Sequence, residues 1–181
     1  MSSRRPAKVA LREVAPRDGL QDEKILVTVA EKIRFIELLA ASGVPLIEAT
    51  SFVHPKRVPQ LADAEDVFTG VRALESPDLR LLTLVPNIRG YDRARAVGVK
   101  AIALFTAASE GFNKKNINAS IEESLERFRP ICERAKEDGV WVRGYVSTAF
   151  GCPYEGTVLP ENVARVVEAM KPFGCDEIAL G

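Results

Sequence analysis

The chain has 181 residues, 46% of them hydrophobic and 28% charged, with 25 Lys+Arg balanced by 25 Asp+Glu. The zero net charge argues against a nucleic-acid or anionic-membrane partner, the hydrophobic share excludes a disordered chain, and no apolar run reaches the roughly 18 residues of a membrane span. Three scattered cysteines (Cys132, Cys152, Cys175) lack metal-ligand spacing, and the basic residues 1–8 have no apolar stretch behind them, so a cytoplasmic setting without a secretory signal is expected.

In chain order, a β-branched run predicts a first strand over residues 8–14, followed by a helix over 29–41 with Ile33, Ile36, Leu39 and Ala40 on one face. A strand over 45–50, a helix over 61–74, a strand over 80–85, a helix over 90–97 and a strand over 100–106 come next. Residues 110–116 read as a basic, amide-rich loop. A helix over 120–137 carries the stripe Ile121, Leu125, Phe128, Ile131, Cys132 and Ala135, with Glu122, Glu123 and Glu126 near its positive end. A strand over 140–147, a helix over 160–172 and a strand over 176–180 close the pattern. Gly43, Gly98, Gly139 and Gly174 each stand between a helix and a strand, the place for a left-handed helix stop.

Strict alternation predicts parallel strands joined by right-handed crossovers. No Gly-x-Gly-x-x-Gly or Walker-type loop follows the first strand, which counts against a nucleotide-binding open sheet. Polar residues alternate within strands: Arg143, Tyr145 and Ser147 share one face, as do Leu46, Glu48 and Thr50. Such residues near the C-terminal ends of parallel strands suit a barrel mouth. The expected fold is α/β of the (β/α)8 TIM-barrel type, incomplete at six strands and five helices, as a single partial domain over residues 1–181.

The pointed segment is Glu13-Val14-Ala15-Pro16-Arg17-Asp18-Gly19-Leu20-Gln21. A carboxylate there suits a hard divalent cation and a guanidinium suits a developing oxyanion; the competing reading is a plain Asp-Gly turn. Glu48, in an apolar strand, needs a cation, a metal or a site, an arginine ion pair being the simplest. Arg143 and Tyr145 read equally as a grip for a carboxylate or thioester oxygen and as a satisfied polar layer. His54 has no second histidine to complete a metal site and is expected at the surface. Cys152 reads as an ordinary loop cysteine, residues 110–116 as a solvated loop rather than a phosphate contact, and Lys24 as solvent-facing.

Longer strings carry a resemblance: Pro16-Arg17-Asp18-Gly19-Leu20-Gln21, Ile47-Glu48-Ala49-Thr50-Ser51-Phe52-Val53, Val58-Pro59-Gln60, Lys114-Lys115-Asn116-Ile117-Asn118, Val142-Arg143-Gly144-Tyr145-Val146-Ser147 and Gly151-Cys152-Pro153-Tyr154-Glu155-Gly156. In this order they resemble the N-terminal portion of the 3-hydroxy-3-methylglutaryl-CoA lyase family, among the metal-dependent Arg-Asp-Gly lyases and synthases built on TIM barrels. The resemblance implies cleavage of that acyl-CoA to acetyl-CoA and acetoacetate, leucine degradation as the setting, and a Mg²⁺ or Mn²⁺ cofactor. By motif, Asp18 resembles a metal ligand, Arg17 the residue that stabilises the enolate oxygen, and Glu48 an active-site carboxylate with a catalytic role. Arg17, Gln21, Arg143 and Tyr145 resemble substrate-cleft residues. The family's metal histidines, a ligating asparagine and a cysteine-bearing loop lie beyond the sixth strand and have no counterpart in these residues. Two alternatives follow: an inactive partial barrel that forms homo-oligomers through exposed edge strands, or a lyase or synthase for a related acyl-CoA such as citramalyl-CoA.

Overall fold

The computed structural model describes residues 6–181; the first five residues of the basic N-terminal stretch lie outside it. Its elements are α1 (Val29–Ala41), β1 (Leu46–Ser51), α2 (Ala64–Val71), β2 (Arg80–Leu84), α3 (Ile88–Ala96), β3 (Ala101–Ala107), α4 (Glu110–Ile117), α5 (Ile121–Glu137), β4 (Trp141–Ser147), α6 (Pro160–Met170) and β5 (Glu177–Leu180). All strands are parallel, in the order β1-β2-β3-β4-β5. Each strand therefore pairs with its neighbour in sequence. That is the progression of a barrel wall, whereas a doubly wound sheet reverses its strand order.

Local chemistry explains the helix ends. Thr28 and Ser120 each close a reciprocal capping box, with Glu31 and Glu123, at the starts of α1 and α5. The four expected glycine stops all take positive φ, between 65° and 88°. The stripe expected on α5 is buried throughout.

Four expectations change. The strand over 8–14 is reduced to one parallel bridge, in which Glu13 N–H donates to Leu46 O (2.9 Å) and Glu48 N–H donates to Glu13 O (2.7 Å). Val9 and Leu11 are 80% and 65% exposed, so among the described residues β propensity finds neither burial nor a second ladder to hold it. The expected loop over 110–116 is helix α4. It lacks an apolar stripe and is held from outside: the Glu155 carboxylate accepts from Gly111 N–H, and buried Asn113 donates to Ser120 O at 2.8 Å. The single helix over 61–74 is divided into α2 and flanking 3-10 turns, Pro59–Leu61 and Arg72–Leu74. Finally, a register shift between Glu48 and Thr50 sets Thr50 opposite Thr83, so the simple alternation fails past Glu48. Among the described residues the outcome is five strands and six α-helices rather than six and five.

The two sheet faces have separate cores. Ile47, Leu81, Ile102, Leu104 and Val142 pack outward with Phe68 and Ile131 from the helices. Leu46, Leu82, Leu84, Ala101 and Ala103 form an inner cluster against which Phe105, Trp141 and Tyr145 pack. Gly144 faces outward, where any Cβ would collide with the Met170 methyl of α6.

Candidate active site

Residues 15–19, Ala-Pro-Arg-Asp-Gly, form one π-helical turn beside β1, neither a hairpin nor an ordinary Asp-Gly turn. Asp18 N–H donates to Val14 O at 2.7 Å. Such π turns are rare and cluster at functional sites. This turn directs the Arg17 side chain at the inner face of β1 and leaves Asp18 outermost.

Glu48 has no exposed surface, and a donor meets each of its oxygens. Arg17 Nε donates to Oε1 at 2.6 Å and Tyr145 Oη donates to Oε2 at 2.7 Å. Arg17 also donates through Nη1 to Asp18 Oδ1 at 2.5 Å. Its side chain is 13% exposed and that of Asp18 59%. Burial alone would lower the pKa of Arg17; the Glu48 charge and hydrogen bond outweigh it, with help from Asp18, and raise it. Burial, then the charge of Glu48, push the Tyr145 hydroxyl up, so it stays protonated and donates. Of these side chains Asp18 is the one open to solvent.

The other predicted residues take different places. Arg143 lies on the same face of β4 as Tyr145, two residues nearer the strand's start, and its guanidinium carbon sits 4.9 Å from the Tyr145 ring centroid. Its Nη1 donates to Glu177 Oε1 at 2.5 Å, while its Nε is buried without a partner. Gln21 is half-buried one turn after Arg17 and makes no side-chain hydrogen bond to the cluster. His54 and Lys24 are exposed, as expected. Cys152 is buried in a tight turn closed by its bridge to Gly156. Burial opposes its ionisation, but hydrogen bonds from Ser109 and the amides of Tyr154 and Glu155 outweigh this and hold its thiol below the ordinary value.

Two polar residues escaped the sequence reading. Lys32, 4% exposed on α1, donates to Asp63 Oδ2 at 2.7 Å and to the Gln60 carbonyl. Gln60, 2% exposed, binds the backbone of residues 23–27. The one available signal was the i,i+4 spacing of Lys32 and Ile36, which places a cation on the buried face of α1.

A consecutive parallel sheet, with a buried carboxylate held by a partly buried guanidinium and phenol on its inner face, defines an α/β barrel-type protein with an enzyme-like polar site. The chain belongs to the HMGL-like family, whose model matches residues 8–181. It is 51% identical over 176 residues to the cytoplasmic 3-hydroxy-3-methylglutaryl-CoA lyase of Danio rerio, covering 97% of this chain and 52% of that protein. The crystal structure of hydroxymethylglutaryl-CoA lyase from Pseudomonas aeruginosa superposes with a TM-score of 0.92 at 49% identity, over 97% of this chain and 58% of that one. An HMG-CoA lyase from Acinetobacter baumannii, solved in complex with coenzyme A and 3-methylmalate, gives 0.88 at 36% identity, over 94% and 55%. The chain thus spans little more than half the length of these relatives. Among the described residues no helix is long and apolar enough to cross a membrane.

Proposed function

We propose that the protein is a carbon–carbon lyase that cleaves 3-hydroxy-3-methylglutaryl-CoA to acetyl-CoA and acetoacetate, in the cytoplasm and in the service of leucine degradation. The observation that carries this reading is the cluster of Arg17 and Tyr145 on buried Glu48, set on the inner sheet face of a chain about half identical to named lyases.

A Mg²⁺ or Mn²⁺ ion, when bound, would act as a Lewis acid toward the substrate's hydroxyl and carboxylate oxygens. Asp18 fits as one hard oxygen ligand. Among the described residues no group of three or more His, Cys, Asp or Glu side chains is placed to hold a metal ion, so they fit that ion only in part.

In the reaction a base takes the 3-hydroxyl proton, the C2–C3 bond breaks to leave acetoacetate, its electron pair forms the enolate of acetyl-CoA, and a proton returned to C2 completes acetyl-CoA. Arg17 is suited to receive that charge. Nε and Nη1 are held by carboxylates, and Nη2 has no partner among the described residues. A donor fixed before the charge develops loses nothing to reorganisation. Glu48, with both oxygens engaged, acts by orienting Arg17 and Tyr145. Gln21, Arg143 and Tyr145 would line the substrate cleft.

The test is acetoacetate release by the purified polypeptide with added Mg²⁺ or Mn²⁺. Arg17→Gln should lower kcat by roughly 10²–10³-fold with KM little changed, the loss typical of one removed oxyanion donor. Unchanged turnover would remove Arg17 from the chemistry. The 3-methylmalate in the A. baumannii lyase favours one second reading, a related acyl-CoA substrate. Preferential cleavage of citramalyl-CoA would establish it.

A further inference from the structure

We propose that Gln60 is a positioning residue for the Arg17 and Glu48 pair, clamping the segment that leaves the Arg17 turn to the segment that leaves β1; the inference rests on the function proposed above. Residues 22–28 join the π turn to α1 without regular structure, and burial does not hold them, since Ile25 and Leu26 are 81% and 66% exposed. Among the described residues, the hydrogen bonds tying 22–27 to a distant part of the chain all run to the Gln60 side chain. Its Oε1 accepts from Val27 N–H at 3.0 Å, and its Nε2 donates to Ile25 O at 2.9 Å and to Glu23 O at 3.4 Å. Glu23 N–H in turn donates to Leu20 O at 3.0 Å, at the end of the turn that carries Arg17.

The other side of the clamp is equally fixed. Gln60 sits in the 3-10 turn Pro59–Leu61 downstream of β1, and Lys32 Nζ donates to its carbonyl while binding Asp63. One buried amide therefore ties the connector that leaves the Arg17 turn to the turn that follows β1, a second fastening of the Arg17 turn beside the Glu13 bridge that precedes it. An amide is required because the connector presents both an N–H and carbonyls. A carboxylate of the same size would keep the acceptor for Val27 N–H but aim its second oxygen at the Ile25 and Glu23 carbonyl oxygens, and burying such an unmet group is costly.

The experiment compares Gln60→Glu and Gln60→Ala with wild type in the intact polypeptide, by backbone hydrogen exchange and by cleavage rate, at about pH 8 and about pH 5. Protonation in acid returns one donor to the buried glutamate. At the higher pH both variants should exchange roughly tenfold faster across residues 13–21 as well as 22–28, with kcat reduced in parallel. At the lower pH, Gln60→Glu should return toward the wild-type exchange rate while Gln60→Ala does not. Faster exchange confined to 22–28, or a Gln60→Glu variant matching wild type at the higher pH, would overturn the proposal. If wild type cleaves no acyl-CoA, the function fails on its own account, and exchange over 13–21 still decides the clamp.

Discussion

Glu48 organises the site because a carboxylate with no exposed surface is tolerated only where both oxygens meet donors. The expectation that it needs a cation is answered by Arg17, and Tyr145 supplies the second donor from 97 residues away. The same burial makes a prediction about alkali. Tyr145 and Tyr91 both have their hydroxyl pKa raised, by burial first and then by Glu48 and Asp138 respectively. Because the folded state keeps these protons above the unfolded value of about 10, the stability they confer is present below that pH and is lost as pH rises beyond it. Absorbance titration should show these two phenols ionising only together with loss of far-UV circular dichroism. Ionisation near pH 10 in a chain that stays folded would contradict the buried hydrogen bonds.

At the scale of elements, α5 shows how closely local sequence and tertiary packing agree. Ser120 Oγ accepts from Glu123 N–H at 3.0 Å, and Glu123 Oε2 accepts from Ser120 N–H at 2.7 Å. Ser120→Ala should destabilise the chain by about 1 kcal/mol in urea melts, the usual cost of a lost N-cap. No change would mean that α5 owes its start to packing alone. Helix α4 is the opposite case. Its sequence, Glu-Gly-Phe-Asn-Lys-Lys-Asn-Ile, has no apolar period, and its order comes from Glu155, Asn113 and a left-handed Asn118 at φ 49°. The Glu155 contact joins residues 44 positions apart, and no local window contains it.

At the scale of the whole molecule, five parallel strands make an arc of barrel wall whose last member, β5, pairs with β4 alone among the described residues. At the other side, Val9 and Leu11 lie exposed along a segment with one bridge. Unpaired edges of this kind recruit other strands. Light scattering of the 181-residue chain should therefore show homo-oligomers whose mass grows with concentration. A strictly monomeric chain would show that these edges are adequately protected by solvent and charge.

Much of the architecture was legible because it is written in local periods. The apolar stripe of α5, the glycine stops and the shared face of Arg143 and Tyr145 depend on residues within one or two turns, or one strand, of each other. The Arg-Asp-Gly string is likewise contiguous in sequence, and the structure sets its Arg17 against Glu48. What only the tertiary structure decided is which charges meet. Arg17 faces Glu48 across 31 residues, Arg143 takes Glu177 across 34, and Gln60 reaches back to Val27 across 33. Those pairings follow from strand register and crossover geometry, and short-range propensity carries no record of either. The first predicted strand fails for the matching reason: extended propensity is local, but a strand exists only through the neighbour that completes its ladder.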